Sequence, residues 1–377
     1  MTTFRLDTSE GPGTHVFIVG VGKYDHLLNG AGPVTARTGN MGQLTSPQRS
    51  AKAVLEWFDK TMNNPSAPLK SIEALISDVD VATYPEEGQP KPIDQAYYDQ
   101  FEACAKAWFD RANSDPRNVA VFYFCGHGLA NGIETQLLLS DYGKSSTPLR
   151  HAINFNGFRM AMHACQATSQ IFFVDACRVV DSATLVDPDN LGYSGLGPVN
   201  VTRMFRGSNP VLFAARIGKQ AFGDPDQVSD FTKALLAGLT KYGARRNKQQ
   251  DWAISPQHLQ LAVAALMDDF SGDSHCQTDG ISGSGFDLHI LNEPPDVVVH
   301  VSVAPPEKHV GAVLRATHGI VVRERDGDEH PWRTILPIGN ARITADFPQL
   351  ADAPQSFRDV TLMGPMQEVE LGVLWAQ

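Results

Sequence analysis

Two short stretches carry side chains able to do covalent chemistry. "VFYFCGHG", residues 121 to 128, closes an apolar run with His127 and Gly128, and "FVDACRVV", residues 173 to 180, closes another with Asp175 and Cys177. Thiolate is a strong nucleophile, and an imidazole beside it can take up or return a proton near neutral pH. If the two runs are neighbouring strands, His127 and Cys177 stand at adjacent ends, fifty residues apart in sequence (127 and 177). Gly128 has no Cβ, so backbone there can come close to a reacting carbonyl. A lone Cys177 would be read as an inert core cysteine; its pairing with His127 is what points to catalysis.

The surrounding elements must place those ends. "HVFIVGVG" (15–22), "SIEALIS" (71–77), "NVAVFYF" (118–124), "SQIFFVDAC" (169–177) and "NPVLFAAR" (209–216) are short apolar runs of buried-strand character. Between them lie helical patterns. One opens at Pro47 behind Thr45 and Ser46, with an apolar stripe of Ala51, Val54, Leu55 and Phe58. A long helix is expected from about Ile93 to Ala112, and others over "FNGFRMAMHAC", "SDFTKALLAGLTKYG" and "SPQHLQLAVAALMDDF". The helix over "SDFTKALLAGLTKYG" should end at Gly243 in a left-handed cap. Strands alternating with helices imply an α/β fold with a mostly parallel sheet flanked by helices, whose functional residues gather at the carboxyl ends of the strands.

Beyond "LNEPPD" the pattern changes to "VVVHVSV", "AVLRA", "GIVVRE", "ARITAD" and "VELGVLW" between Pro, Gly and charged turns. Two domains are therefore expected: 1–291, and a small all-β, sandwich-like module over 295–377 for recognition or regulation. The Gly/Ser-rich "SGDSHCQTDGISGSG" before it reads as a surface loop.

Composition narrows the function. A formal net charge of −11 without a long Lys/Arg run argues against nucleic acid or an anionic membrane as the partner. There is no apolar run of membrane-spanning length and no leader pattern at the start, so the expected location is cytoplasmic. Five scattered cysteines (104, 125, 165, 177 and 276) without CxxC pairs suggest neither a disulfide framework nor a zinc site. Gly20 and Gly22 lack the third glycine and the helix of a dinucleotide loop. Asp224, Asp226 and Asp230 lack the regular spacing and glycine of a calcium loop, so a solvated turn is expected and no metal is assigned. His15, His163 and His258 read as satisfied structural residues.

Taken together, "YFCGHG", "VDAC" and "VLFAARIGKQAFGDPDQVSDFTKALLAGL" resemble the caspase-like cysteine peptidases, the clan of caspases, metacaspases and bacterial caspase-like proteins. The bacterial members are most similar, through "GVGKYDHL" and "LTSPQRSAKAVLEWF", and the resemblance spans roughly residues 15 to 291. It implies Cys177 as nucleophile, His127 as general acid/base, and the N–H groups of Cys177 and Gly128 as an oxyanion hole. The implied reaction is peptide-bond hydrolysis through a thioester, with no cofactor, although some metacaspases require calcium. In the family the residue two before the cysteine lines the S1 pocket, glutamine where P1 is Asp and aspartate where P1 is Arg or Lys. Asp175 thus implies a basic P1 residue, with Cys125 packing the strand edge or lining the pocket.

Two positions depart from the pattern: Ser50 stands where a metacaspase has its second acid, and Gly223 where a caspase has an arginine. Arg37 has only a superficial likeness to another caspase pocket arginine. The loop after Cys177 matches one that caspases cut during activation, making Arg203 and Arg206 candidate processing sites. A bacterial role in stress, antiviral defence or regulated cell death is what the resemblance implies. Partners would be protein or peptide substrates, with a regulatory protein on the C-terminal module. The alternative is a catalytically dead scaffold on the same fold. A redox-sensing Cys177 would leave the His127-Gly128 pair without a purpose.

Overall fold

The computed structural model describes residues 3–34, 41–84, 90–131, 134–147, 149–178, 192–197, 205–215, 225–271, 277–279, 285–328, 330–348 and 355–372. The strands that build the larger, N-terminal part are β1 (Thr3–Leu6), β2 (Thr14–Val21), β3 (Leu69–Ser77), β4 (Val119–Gly126), β5 (Gly128–Asn131), β6 (Glu134–Leu138), β7 (Ala152–Asn154), β8 (Ser169–Ala176), β9 (Val211–Phe213) and β10 (Gln277–Asp279). Seven of them form the central sheet in the order β1-β3-β2-β4-β8-β9-β10. The two outermost pairs are antiparallel and every pair between them is parallel.

The central strands read as unbroken apolar runs because both faces of the sheet are covered. Side-chain alternation sorts them: Val16, Ile18, Val121, Tyr123, Ile171 and Phe173 enter one core, and Phe17, Val19, Phe122, Phe124, Phe172 and Val174 the other. The first core is closed by α1 (Pro47–Lys60), α4 (Asp230–Ala237) and α5 (Pro256–Ser271). The second is closed by α2 (Tyr98–Ala112) and α3 (Phe155–Ala161), which contribute Phe101, Trp108, Phe155 and Phe158. The fold is thus the expected mostly parallel sheet flanked by helices.

Several details correct the sequence reading. Helix α2 starts at Tyr98 rather than near Ile93, because the preceding backbone is already committed: Ile93 N donates to Ala82 O at 2.8 Å and Ile76 N to Asp94 O at 2.9 Å. After α4 the chain continues as a π-helical turn, Gly238–Tyr242, closed by Gly243 N to Gly238 O at 2.8 Å. Gly243 has φ −87°, so no left-handed cap forms. Within the expected surface loop, Gln277–Asp279 is instead the edge strand β10.

The C-terminal strands are β11 (Asp296–Ala304), β12 (Val313–His318), β13 (Val321–Asp326), β14 (Trp332–Pro337), β15 (Gly339–Asp346), β16 (Ser356–Leu362) and β17 (Met366–Gly372). They make two sheets, β14-β11-β17 and β13-β12-β15-β16, which share one core containing Val297, Val299, Val301, Leu314, Trp332, Ile343 and Leu371. β14 and β16 escape the sequence pattern because their exposed faces are charged or cut by proline.

The first of these sheets is covered on its other face too. Val298, Ile335 and Met366 join the core under α4 and α5. Beside them Asp269 of α5, its side chain 3% exposed, takes Arg333 Nε at 2.8 Å and Nη2 at 2.7 Å, and His300 Nε2 at 3.0 Å. Charge-assisted bonds at a nearly dry carboxylate make this a clasp between α5 and the sandwich. Asp269→Ala should lower the denaturant midpoint by the equivalent of about 1–3 kcal/mol; an unmoved midpoint would show that apolar packing alone holds the junction.

Candidate active site

The register of β4 against β8 decides what meets at the top of the sheet. Asp175 lies opposite Cys125 and Ala176 opposite Gly126, so the next residues, His127 and Cys177, leave neighbouring strands side by side. The two backbones pass so closely that a Cβ on residue 128 would lie 2.5 Å from the Cys177 carbonyl oxygen and 2.9 Å from Ala176 Cβ. Only glycine fits there. In the β5–β6 hairpin Leu138 N donates to His127 O at 3.0 Å, and Gly128 faces Leu137. Antiparallel pairs alternate, which turns the Gly128 N–H away from β6.

His127 is gripped at two points. Its main-chain N–H donates to the Tyr24 hydroxyl at 2.7 Å, and the two rings lie 4.8 Å apart at 45°. Its Nε2 lies 2.8 Å from Gly42 O. A carbonyl can only accept, so Nε2 carries the hydrogen and the lone pair of the neutral ring is on Nδ1. Burial pushes the imidazole below the ordinary 6.5, partly offset by the Gly42 hydrogen bond. A neutral ring with a bare Nδ1 has the form of a general base.

Of the described cysteines, Cys104, Cys125 and Cys165 are buried and Cys177 is half-buried; Cys276 lies outside the described residues. Cys125 is unsuited to attack: burial pushes its thiol well up, and the nearby Asp175 adds to that. Its Sγ donates to Asp175 Oδ2 at 3.4 Å.

Alternation turns Asp175 toward the face under α1 and α4, and there the carboxylate is 3% exposed. Thr232 Oγ1 donates to Oδ2 at 2.9 Å, and Ser229 Oγ donates to the same oxygen. Ser50, at the position of the missing acid, belongs to this cluster, accepting from Ser229 N at 3.0 Å. Burial raises the Asp175 carboxyl, opposed by the hydrogen bonds from Ser229, Thr232 and Cys125. Side-chain hydroxyls and a thiol, rather than the backbone amides of a turn, hold this acid.

The other candidates fall away from His127 and Cys177. Arg206 is exposed and sits at the opposite end of β8, where Ser208 N donates to Thr168 O at 2.8 Å and Phe205 stacks on His163 with centroids 4.8 Å apart. Eight strand residues separate that end from Cys177, roughly 25 Å. Arg203, Arg37, Gly223 and Asp224 lie outside the described residues. Asp226 pairs with Arg49 at 3.2 Å and Asp230 with Lys233 at 3.0 Å, and among the described residues no cluster has the make-up of a metal site. His15, His163 and His258 each contact a side chain, Ser71, Asn209 and Ser255 respectively.

Sequence reasoning missed Tyr24, Gly42, Ser229 and Thr232. Tyr24 lies in "GVGKYDHL", quoted only for its likeness, and the last two in "SDFTKALL", read only as the start of a helix and for its likeness. Gly42 acts through its carbonyl, which leaves no residue signature.

Residues 99–273 match the family model of the caspase domain. The uncharacterized protein y4kE of Sinorhizobium fredii is 25% identical over 286 residues, covering 70% of this chain and 77% of its own. A crystal structure of a protein from Geobacter sulfurreducens overlaps 72% of this chain and 94% of its own at 11% identity, with a TM-score of 0.45, too loose a likeness to bear on the site. Among the described residues no helix is long and apolar enough to cross a membrane.

Because burial disfavours the charged ring, the His127 imidazole should titrate below pH 6.5 and be neutral above it. Imidazole NMR titration would check this; a midpoint at or above 6.5 would mean that water or a counter-charge reaches the ring.

Proposed function

We propose that this chain, whose residues 99–273 match the caspase-domain family model, is a cysteine endopeptidase working through His127 and Cys177. The observation that supports it best is the pairing of Ala176 with Gly126, which delivers a half-buried cysteine beside a histidine whose Nδ1 is left as the base.

In this reading Nδ1 takes the thiol proton as Sγ attacks the scissile carbonyl carbon. The oxyanion that develops is met by the N–H groups of Cys177 and Gly128. Collapse breaks the C–N bond, and the imidazolium gives its proton to the leaving amine. Water, deprotonated by His127, then cleaves the thioester, releasing a carboxylic acid and restoring the thiol.

Asp175 gives the pocket a preference for Arg or Lys at P1. Among the described residues three donors converge on its Oδ2, and in this reading Oδ1 meets the substrate cation. Cys125 lines the same pocket as a small neighbour of that acid. Processing after Arg203 or Arg206 would be carried out by another copy at Arg206, since the chain's own Cys177 is at the far end of β8. Replacing both arginines should leave the chain whole, and continued cutting in this loop would discard those sites. The module over 295–377 would bind a regulatory protein.

A second reading has one observation in its favour: Asp175 is enclosed by hydroxyls and its partner acid is Ser50, as in a scaffold that has lost its pocket. Fluorogenic peptides differing only at P1, with and without calcium, separate the two. The peptidase reading expects cleavage after Arg or Lys that vanishes in Cys177→Ala and falls about hundredfold in Asp175→Asn, the equivalent of roughly 2–5 kcal/mol for a broken buried charge pair. Cleavage after an acidic residue would overturn the pocket, and a wild-type protein inert toward every peptide would favour the scaffold.

A further inference from the structure

We propose that Gln43 is a positioning residue for the general base, acting through Tyr24 and Gly42; this rests on the peptidase reading of His127. The carboxamide of Gln43 makes three hydrogen bonds to one short segment. Oε1 accepts from Tyr24 N at 2.8 Å, and Nε2 donates to Tyr24 O at 3.0 Å and to Leu28 O at 3.0 Å. An amide offers acceptor and donors in one plane, which neither Glu nor Met can reproduce.

The two residues joined by this side chain are those that hold His127. Tyr24, fully buried, receives the His127 main-chain N–H, and Gly42, next to Gln43 in sequence, receives Nε2–H. Gly126 makes room for the contact, since a Cβ there would stand 2.8 Å from the Tyr24 hydroxyl. On either side, Leu28 N donates to Met41 O at 3.0 Å and Leu44 N to Gly22 O at 2.8 Å, keeping the segment of Gly42 against that of Tyr24.

The imidazole is therefore fixed in height by Tyr24 and in rotation and tautomer by Gly42. Gln43 sets the distance between those two supports. It does not touch the reacting atoms. When the carboxamide is lost, Gly42 O drifts, Nε2–H loses its partner, and the hydrogen redistributes between the ring nitrogens. Nδ1 is then no longer the uniform base.

The test uses the full chain carrying Gln43→Met, close in length and half-buried at this position, beside Gln43→Glu and Tyr24→Phe. Imidazole ¹⁵N spectra of the wild type should show His127 as the neutral Nε2–H tautomer, and Gln43→Met a mixture of both. With a cleavable peptide, kcat should fall tenfold or more while KM stays within about twofold. Gln43→Glu, which keeps the acceptor for Tyr24 N but sets an anionic oxygen against the carbonyls of Tyr24 and Leu28, should fall at least as far. Tyr24→Phe, which removes the other support, should also lower kcat.

An unchanged tautomer with unchanged kcat would overturn the proposal. So would a variant that loses thermal stability and kcat together while His127 remains wholly Nε2–H, because that pattern marks a loop brace. If the wild type cleaves no peptide, the peptidase reading fails, yet the tautomer spectra still decide whether Gln43 sets the ring.

Discussion

Everything at the top of this sheet depends on the pairing of β4 with β8 in a single register. Eight consecutive pairs, from Ser169 with Val119 to Ala176 with Gly126, carry the two strands to a common end. A slip of one residue would turn Asp175 into the opposite core and separate His127 from Cys177. What prevents the slip is apolar burial on both faces: Phe122, Phe124, Phe172 and Val174 are fully enclosed on one side, and Val121, Tyr123, Ile171 and Phe173 on the other. A slip would exchange these side chains between two cores shaped for other residues, and the misfit, about 1–3 kcal/mol at each position, would exhaust a domain's net stability.

The same alternation explains why the acid two residues before Cys177 is enclosed. Asp175 shares the face of Tyr123 and Phe173, under α1 and α4, and is nearly shut off from bulk water. A bare charge there would be costly, and Ser229, Thr232 and Cys125 supply the hydrogen bonds that make it tolerable. Ser229 also caps α4, its Oγ accepting from Thr232 N at 3.2 Å. The start of α4 and the hydrogen bonds around Asp175 are one cluster. On the far side, α5 packs on α4 and carries Asp269, which is clasped by Arg333 and His300 of the sandwich.

Much of this was legible in the sequence for a physical reason. Strands buried on both faces appear as unbroken apolar runs, so β2, β3, β4 and β8 stand out, and the polar residues that close β4 and β8 stand out with them. Strands with one charged face do not: "SFRDVTL" alternates weakly, and "WRTILP" is bounded by prolines. The early start expected for α2 failed because a local helical pattern says nothing of the backbone pairing that holds Ile93 and Asp94 extended. Main-chain partners were equally invisible. Nothing in the type of Gly42 announces that its carbonyl sets the histidine, and Tyr24 looks like any core aromatic until His127 N is found on its hydroxyl.

The central claim is that His127 and Cys177 act as one unit. Its most direct measurement is covalent capture: a peptide halomethyl ketone with arginine at its reactive end is added to the native chain, and the alkylated residue is located by mass spectrometry. The account predicts alkylation at Cys177 with little at Cys104, Cys125 or Cys165, and a rate at pH 7 that falls steeply in His127→Ala. Alkylation spread over several cysteines, or a Cys177 rate indifferent to loss of the imidazole, would contradict it.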